Sequence, residues 1–381
     1  MQTARMAGLF AAAALGCLAC DDEAPAIAPA PTPIDAGLAD TGPGVEPDAG
    51  TILDAGPPDL GAWDLGPPDL GAVDLGTDAG VDAGVVDAGP PPPTHVVRFV
   101  ALGDTGEGNT AQYEVSRVIE TVCMVQGCDF AVLLGDNFYD DGVQSPEDEQ
   151  FQTKFEAPYA NLQLQFNVTL GNHDFGEIPL QFWRTDHQIT YSAMSSKWNM
   201  PDHFYTFVQD HVTFISLDTN MIMLGLDWVR DQRDWFEEQV DRAATPWIIA
   251  YGHHPYHSNG RHGNAGNYEG VGRIDPTGIV SGRSIKSFFE DQICGNVDLY
   301  LAGHDHNLQW QQPTCGTEMI VSGAGAKTTE FVNRDGNPTP RYASDADEGF
   351  FWIELADDVM TVEVWGRDGM MHYTNTVTRT P

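Results

Sequence analysis

The sequence predicts an α/β fold, a two-sheet mixed β-sandwich flanked by helices, over residues 95–381. Three observations carry that expectation. Five short apolar runs each end in glycine followed by a side chain able to bind a metal ion. Segments of helical period lie between the runs, at the length a parallel crossover needs. Residues 349–378 instead alternate apolar and polar, as antiparallel strands do.

In chain order, residues 96–102 (VVRFVAL) form a β-branched apolar run that ends in Gly103-Asp104-Thr105-Gly106. Residues 110–126 follow, with Val115, Val118, Ile119 and Val122 at helical spacing. The run 130–134 (FAVLL) leads into Gly135-Asp136-Asn137-Phe138-Tyr139, and 166–170 (FNVTL) into Gly171-Asn172-His173-Asp174. Residues 203–219 read as two strands joined at Gln209-Asp210, and 227–243 and 284–292 as crossover helices. The runs 247–251 (WIIAY) and 299–302 (LYLA) end in Gly252-His253-His254-Pro255 and Gly303-His304-Asp305-His306. Ligands of open α/β sheets sit beyond the carboxyl ends of the strands, and glycine lets the chain turn sharply close to an ion.

Taken singly, a Gly-Asp after a strand is a turn and a buried histidine is a core residue. Five such strand ends in one chain describe something more specific. Two ions about 3.5–4 Å apart need a bridging carboxylate, and each needs terminal ligands of its own. Asp104 and Asp136 supply hard carboxylates, with Asp136 as the bridge. Asn172 offers an amide oxygen, and His253, His304 and His306 offer imidazoles. Read as extended chain, residues 303–306 put His304 and His306 on one side, so a single motif serves both ions.

These motifs together resemble the metallophosphoesterase (calcineurin-like) superfamily, and within it the purple acid phosphatases of the small, tartrate-resistant type. The narrowing feature is Tyr139, three residues after Asp136, since a phenolate is a hard anionic donor suited to a trivalent ion. Trp198-Asn199-Met200-Pro201, Phe204-Tyr205 and Gly303-His304-Asp305-His306-Asn307-Leu308-Gln309 extend the similarity over most of 96–330. The resemblance implies the calcineurin-like fold and an Fe(III) ion on Asp104, Asp136, Tyr139 and His306. A divalent ion, Fe(II), Zn(II) or Mn(II), would lie on Asp136, Asn172, His253 and His304. It implies hydrolysis of phosphomonoesters by a metal-bound hydroxide. His173 and His262 would face the phosphoryl and leaving groups, and Asp174 would orient a neighbouring histidine. His254 and His257 read more safely as loop surface than as pocket lining. Residues 258–283, rich in glycine and carrying Arg261, Arg273 and Arg283, depart from that pattern and read as a lid whose arginines could meet phosphate.

The N-terminal residues belong to none of this. Residues 1–20 (MQTARMAGLFAAAALGCLAC) form a secretory signal of lipoprotein type, with Cys20 favoured over Cys17 as the lipidated residue and plain cleavage the alternative. Asp-Ala-Gly and Asp-Leu-Gly repeat unevenly through 21–94, which has fifteen acidic residues and no basic one. Such a stretch has too few large apolar residues to bury a core and reads as a disordered, acidic Pro/Gly/Ala-rich linker. The expected location is therefore outside the cytoplasm, with a lipid anchor as the only membrane contact. Of the net charge of −38, about −24 remains on the folded segment, which excludes a nucleic-acid surface while leaving a small phosphorylated substrate possible at a metal site. Four cysteines remain there. Cys123–Cys128 and Cys294–Cys315 are the expected disulfides among three possible connectivities, and the absence of CxxC spacing argues against a zinc cluster.

Overall fold

In strand β1 (Val96–Leu102), Val97, Phe99 and Ala101 face one apolar layer while Val100 and Leu102 face another. A strand covered on both faces calls for a continuous apolar run, which is what the sequence supplies. The computed structural model describes residues 93–176, 181–225, 227–332 and 337–379. The signal sequence and all but the last two residues of the acidic segment lie outside them.

Strands β2 (Phe130–Leu134), β3 (Phe166–Thr169) and β4 (Trp198–Asn199) continue in parallel from β1, with Val100 opposite Ala131 and Leu133 opposite Val168. On its other edge β1 meets an antiparallel meander of β12 (Gly349–Ala356), β13 (Val359–Gly366) and β14 (Met371–Thr378), with Val97 opposite Leu355. The order is β14-β13-β12-β1-β2-β3-β4. A second sheet contains β5 (Tyr205–Gln209), β6 (Val212–Ser216), β7 (Trp247–Tyr251), β8 (Leu299–Ala302), β9 (Leu308–Trp310), β10 (Glu318–Ser322) and β11 (Tyr342–Ser344). Its order is β11-β9-β10-β8-β7-β6-β5, with β6, β7, β8 and β10 parallel.

Between the sheets, Phe99, Phe130 and Val132 pack against Phe214, Trp247, Ile249 and Leu301. Phe214 meets Phe99 and Phe130 edge-on at 5.3 and 5.1 Å, contacts worth about 0.5–1.5 kcal/mol each beyond burial. Helix α1 (Thr110–Gln126) covers the outer face of the first sheet through Val115, Val118, Ile119 and Val122. Asn109 caps its start by accepting from Gln112 N, and the Cys123–Cys128 disulfide lies at its end. The short α2 (Phe182–Tyr191) and α3 (Thr219–Leu224) are helices beyond those expected from the sequence. Helices α4 (Asp227–Arg242) and α5 (Arg283–Phe288) cover the second sheet, where Phe236, Ile285 and Phe288 meet Ile215, Ala250 and Ala302. The helix expected at 284–292 is α5 followed by a wider turn over Phe289–Ile293, and the Cys294–Cys315 disulfide comes next. Among the described residues no helix is long and apolar enough to cross a membrane.

The two sheets converge where their parallel strands end. Gly103 N donates to Ser322 O at 2.7 Å and Gly303 N to His253 O at 3.0 Å, while Asp104 N donates to Gly135 O at 2.9 Å. Backbone from β1, β2, β7, β8 and β10 is thus tied together at one edge, and that edge carries the candidate site.

Candidate metal centre

The seven donors expected from the sequence come together as two overlapping groups. In the first, Tyr139 Oη lies 3.0 Å from Asp104 Oδ1, 2.9 Å from Asp136 Oδ2 and 3.2 Å from His306 Nε2. In the second, His253 Nε2 lies 3.0 Å from Asn172 Oδ1, 3.1 Å from His304 Nδ1 and 3.5 Å from Asp136 Oδ2. Asp136 belongs to both groups.

The backbone makes room for this at some cost. Asp104, Asp136 and His304 all adopt left-handed conformations, with φ of 57°, 51° and 72°. Such conformations cost a non-glycine residue roughly 1–3 kcal/mol and cluster at functional sites. Glycine does the rest: a Cβ on Gly171 would stand 2.1 Å from both Asp136 N and Oδ1, and one on Gly303 would stand 2.5 Å from Asp104 Oδ2. Residues 303–307 consequently form a tight turn instead of the extended chain expected from the sequence. Asp305 N bonds back to Gly303 O and Asn307 N to Asp305 O, and His304 N donates to Asp104 Oδ2 at 2.9 Å. This tight turn, rather than strand alternation, delivers both imidazoles.

The electrostatics describe a cage suited to cations. Burial, reinforced by Asp136 and opposed by His253, pushes Asp104 up to about 7. Burial acts on Asp136 in the same direction, but His253, His173 and the bonds from His173 N–H and Tyr139 hold it below 3.8. Burial, then the charges of Asp104 and Asp136, push the Tyr139 phenol well above 10. Burial and the surrounding histidines hold His304 well below 6.5, in its neutral, ligating form. His253 Nδ1–H donates to Leu134 O at 2.9 Å, which leaves the lone pair of Nε2 facing Asn172 Oδ1 and the Asp136 carboxylate. A phenol has one proton for two carboxylates. Lone pairs this close, with so few protons between them, fit bound cations, and the mixed carboxylate, phenol, amide and imidazole donors suit transition ions.

Around the cage, His173 Nδ1–H donates to Asp140 O at 2.6 Å, and its ring lies 4.6 Å from that of Tyr139. His262 stacks on His304 at 4.1 Å, with ring Nδ1 hydrogen-bonded to Glu269 and its backbone N–H donating to Asp305 Oδ1 at 2.8 Å. Asp174 makes no hydrogen bond to a histidine. It is fully buried and accepts from Gly171 N, Asn137 N and Nδ2, and Gln188 Nε2, joining the loop that bears Asp136 to the one that bears Asn172. His254, read as loop surface, is 1% exposed and bonded to Thr219 Oγ1 at 2.8 Å, because the strand end turns it inward against His304.

The 258–283 loop is bonded largely to itself. Arg283 donates to Gly272 O and Asp275 O, Asp275 accepts from Thr277 and Ser281, and Tyr268 OH donates to Pro255 O. Arg261 and Arg273 are exposed. Two residues beside the site escaped sequence reading. Glu269 holds φ 55° within that loop. Lys327 pairs with Glu107 at 3.0 Å and sits 3.4 Å over the Tyr139 ring, the geometry of a cation–π contact. Neither belongs to a strand-end motif. The only sequence signal was the anomalous length of the loop for one, and proximity to Gly323-Ala324-Gly325 for the other.

Residues 97–308 match the family model of calcineurin-like phosphoesterases, and the chain belongs to that family of phosphoester hydrolases. Within it, the sequence is 28% identical over 305 residues to tartrate-resistant acid phosphatase type 5 of Sus scrofa, covering 71% of this chain and 83% of that one. Its fold is similar to that of a purple acid phosphatase from Lupinus luteus seeds (19% identity, TM-score 0.56, 76% of this chain and 55% of that one). It is also similar to GAP50, the anchor in the inner membrane complex of Plasmodium (20% identity, TM-score 0.60, 75% of this chain and 90% of that one).

Proposed function

We propose that the chain is an exported acid phosphatase hydrolysing small phosphomonoesters at a binuclear centre. In this reading Asp104, Asp136, Tyr139 and His306 hold a ferric ion, and Asp136, Asn172, His253 and His304 hold divalent iron, zinc or manganese. The observation that carries it is the shared Asp136 between two complete donor groups. When bound, the ions supply Lewis-acid polarisation of the phosphate and an activated water.

The chain's own residues then have separable tasks. Asp140 O holds one proton of His173 on Nδ1, so that Nε2, when it also carries a proton, can donate to a phosphoryl oxygen. Glu269 likewise holds the Nδ1 proton of His262, so that a second proton on Nε2 can pass to the leaving oxygen. As the new P–O bond to water's oxygen forms, the P–O bond to the leaving group breaks, and that oxygen departs as an alcohol with the proton from His262; the attacking water gives up one proton to solvent, from which His262 is reprotonated. Export and a lipid tether at Cys20 are supported by the sequence of residues 1–20 alone.

The test is metal analysis and a visible spectrum of the purified protein, followed by a phosphoester panel. Violet, iron-containing protein that prefers monoesters, and loses turnover in Asp136→Asn and His304→Ala, is the expected result. A colourless, iron-free, fully active sample would instead identify a zinc or manganese phosphodiesterase or nucleotidase. Metal-loaded protein inert on the whole panel would identify a non-catalytic surface binding protein.

A further inference from the structure

At the opposite edge of the sandwich, where the parallel strands begin, a second group of metal-capable side chains gathers from both sheets. His95 precedes β1, and Asp210 and His211 form the turn between β5 and β6. One ligand atom from each lies within 4.8 Å of the other two. His95 Nδ1 lies 2.9 and 3.1 Å from the two oxygens of Asp210, and His211 Nδ1 lies 3.5 Å from Asp210 Oδ2. The two imidazole rings are 5.5 Å apart, with the carboxylate between them.

His95 meets Asp210 at hydrogen-bond distance, whereas His211 reaches the same carboxylate only at 3.5 Å. That ring is 6% exposed, and both its nitrogens are buried without a hydrogen-bond partner. Histidines buried this deeply in folded proteins ordinarily bond at least one nitrogen. A further carboxylate, Asp357 in the β12–β13 turn, accepts from His95 N at 3.0 Å and from Thr94 N at 3.1 Å, which adds negative charge and anchors the backbone of His95.

We propose that His95, Asp210 and His211 form a mononuclear site for a zinc-like divalent cation, independent of the catalytic pair. Two imidazoles and one carboxylate are a common donor set for zinc. Bonds of about 2.0–2.2 Å in a tetrahedron put ligand atoms roughly 3.3–3.6 Å apart. About one oxygen, Asp210 Oδ2, the separations are 3.1 Å to His95 Nδ1 and 3.5 Å to His211 Nδ1, close to that spacing. His95 and Asp210 are exposed, so an ion can enter from solvent and keep water as its fourth ligand. Once bound, it joins the start of β1 in one sheet to the edge hairpin of the other and ties down the point where the acidic segment meets the folded domain.

The experiment adds Zn2+ alone to the full chain already carrying its catalytic metals. Zinc per chain after equilibrium dialysis and the unfolding temperature with and without zinc are measured for wild type, His95→Ala and Asp210→Asn. His95 is half-exposed, and asparagine tolerates the left-handed φ of 47° at position 210, so both variants keep the fold. Wild type should retain one more zinc than either variant and show a zinc-dependent rise in unfolding temperature that both variants lose. Equal zinc content and equal thermal response across the three proteins would overturn the proposal, whatever the phosphatase activity.

Discussion

Replacing Asp174 by alanine should loosen the catalytic edge without touching a proposed ligand. Its carboxylate accepts from Gly171 N at 2.8 Å, Gln188 Nε2 at 2.9 Å, and Asn137 N and Nδ2 at 3.1 Å. Asn137 Nδ2 keeps a second acceptor in Thr169 O, so three donors lose their acceptor in Asp174→Ala. A buried donor left unpaired costs about 1–3 kcal/mol, which puts the simple sum at roughly 3–9 kcal/mol. Two effects reduce it. Water can enter the space vacated, and burial together with Asp136 already pushes Asp174 up to about 7, so the wild-type charge is itself held at a cost. The expected loss is about 3–5 kcal/mol, read by urea unfolding of metal-free protein. The same carboxylate joins the Asp136 and Asn172 loops, so metal affinity should fall about 10–100-fold, read by dialysis against a chelator and elemental analysis. A stability loss below about 1 kcal/mol with unchanged metal retention would refute the assigned role.

Gly171→Ala should abolish metal retention and turnover together, because its Cβ would stand 2.1 Å from Asp136 and must displace that loop; a variant with normal metal content would show that the loop has another way to pack. Glu269→Ala should lower kcat about 10-fold with little change in KM, whereas His262→Ala should lower it about 100-fold; equal KM increases with kcat intact would assign both to substrate binding alone. His203 gives a pH signature away from the metals: burial acts to lower its pKa, but Asp218 at 3.1 Å and Asp186 at 3.4 Å raise it above 6.5. That stabilisation is fully present below pH 6.5 and disappears as pH rises through the folded-state value, so His203→Gln should destabilise the protein more at pH 6 than at pH 9. Equal losses at the two pH values in urea titrations would show that the pair contributes only packing.

The sequence by itself determined the local half of this protein. A β-branched run buried on both faces specifies a strand wherever it occurs, and glycine at its end specifies a sharp turn, so β1, β2, β3, β7 and β8 and the seven donors following them were legible as linear patterns. Helix α1, the β5–β6 hairpin and the terminal meander were legible for the same reason, since their periodicity lies within one segment. What the chain could not disclose were relations between segments far apart along it. The short α2 and α3, the strand order, and the closure of the donors into two overlapping groups around Asp136, itself legible as the bridge, depend on which surfaces pack together. The turn at 303–307 depends on Asp104, 200 residues earlier, accepting from His304 N. His254 became a buried residue because β7 ends against His304. Asp174, Glu269 and Lys327 acquire meaning only from partners that folding brings within about 3 Å of them, at ordinary hydrogen-bond and ion-pair distances. Periodicity and spacing encode short-range stereochemistry, while a carboxylate's role follows from its neighbours in space, and those neighbours exist only after the two sheets have closed.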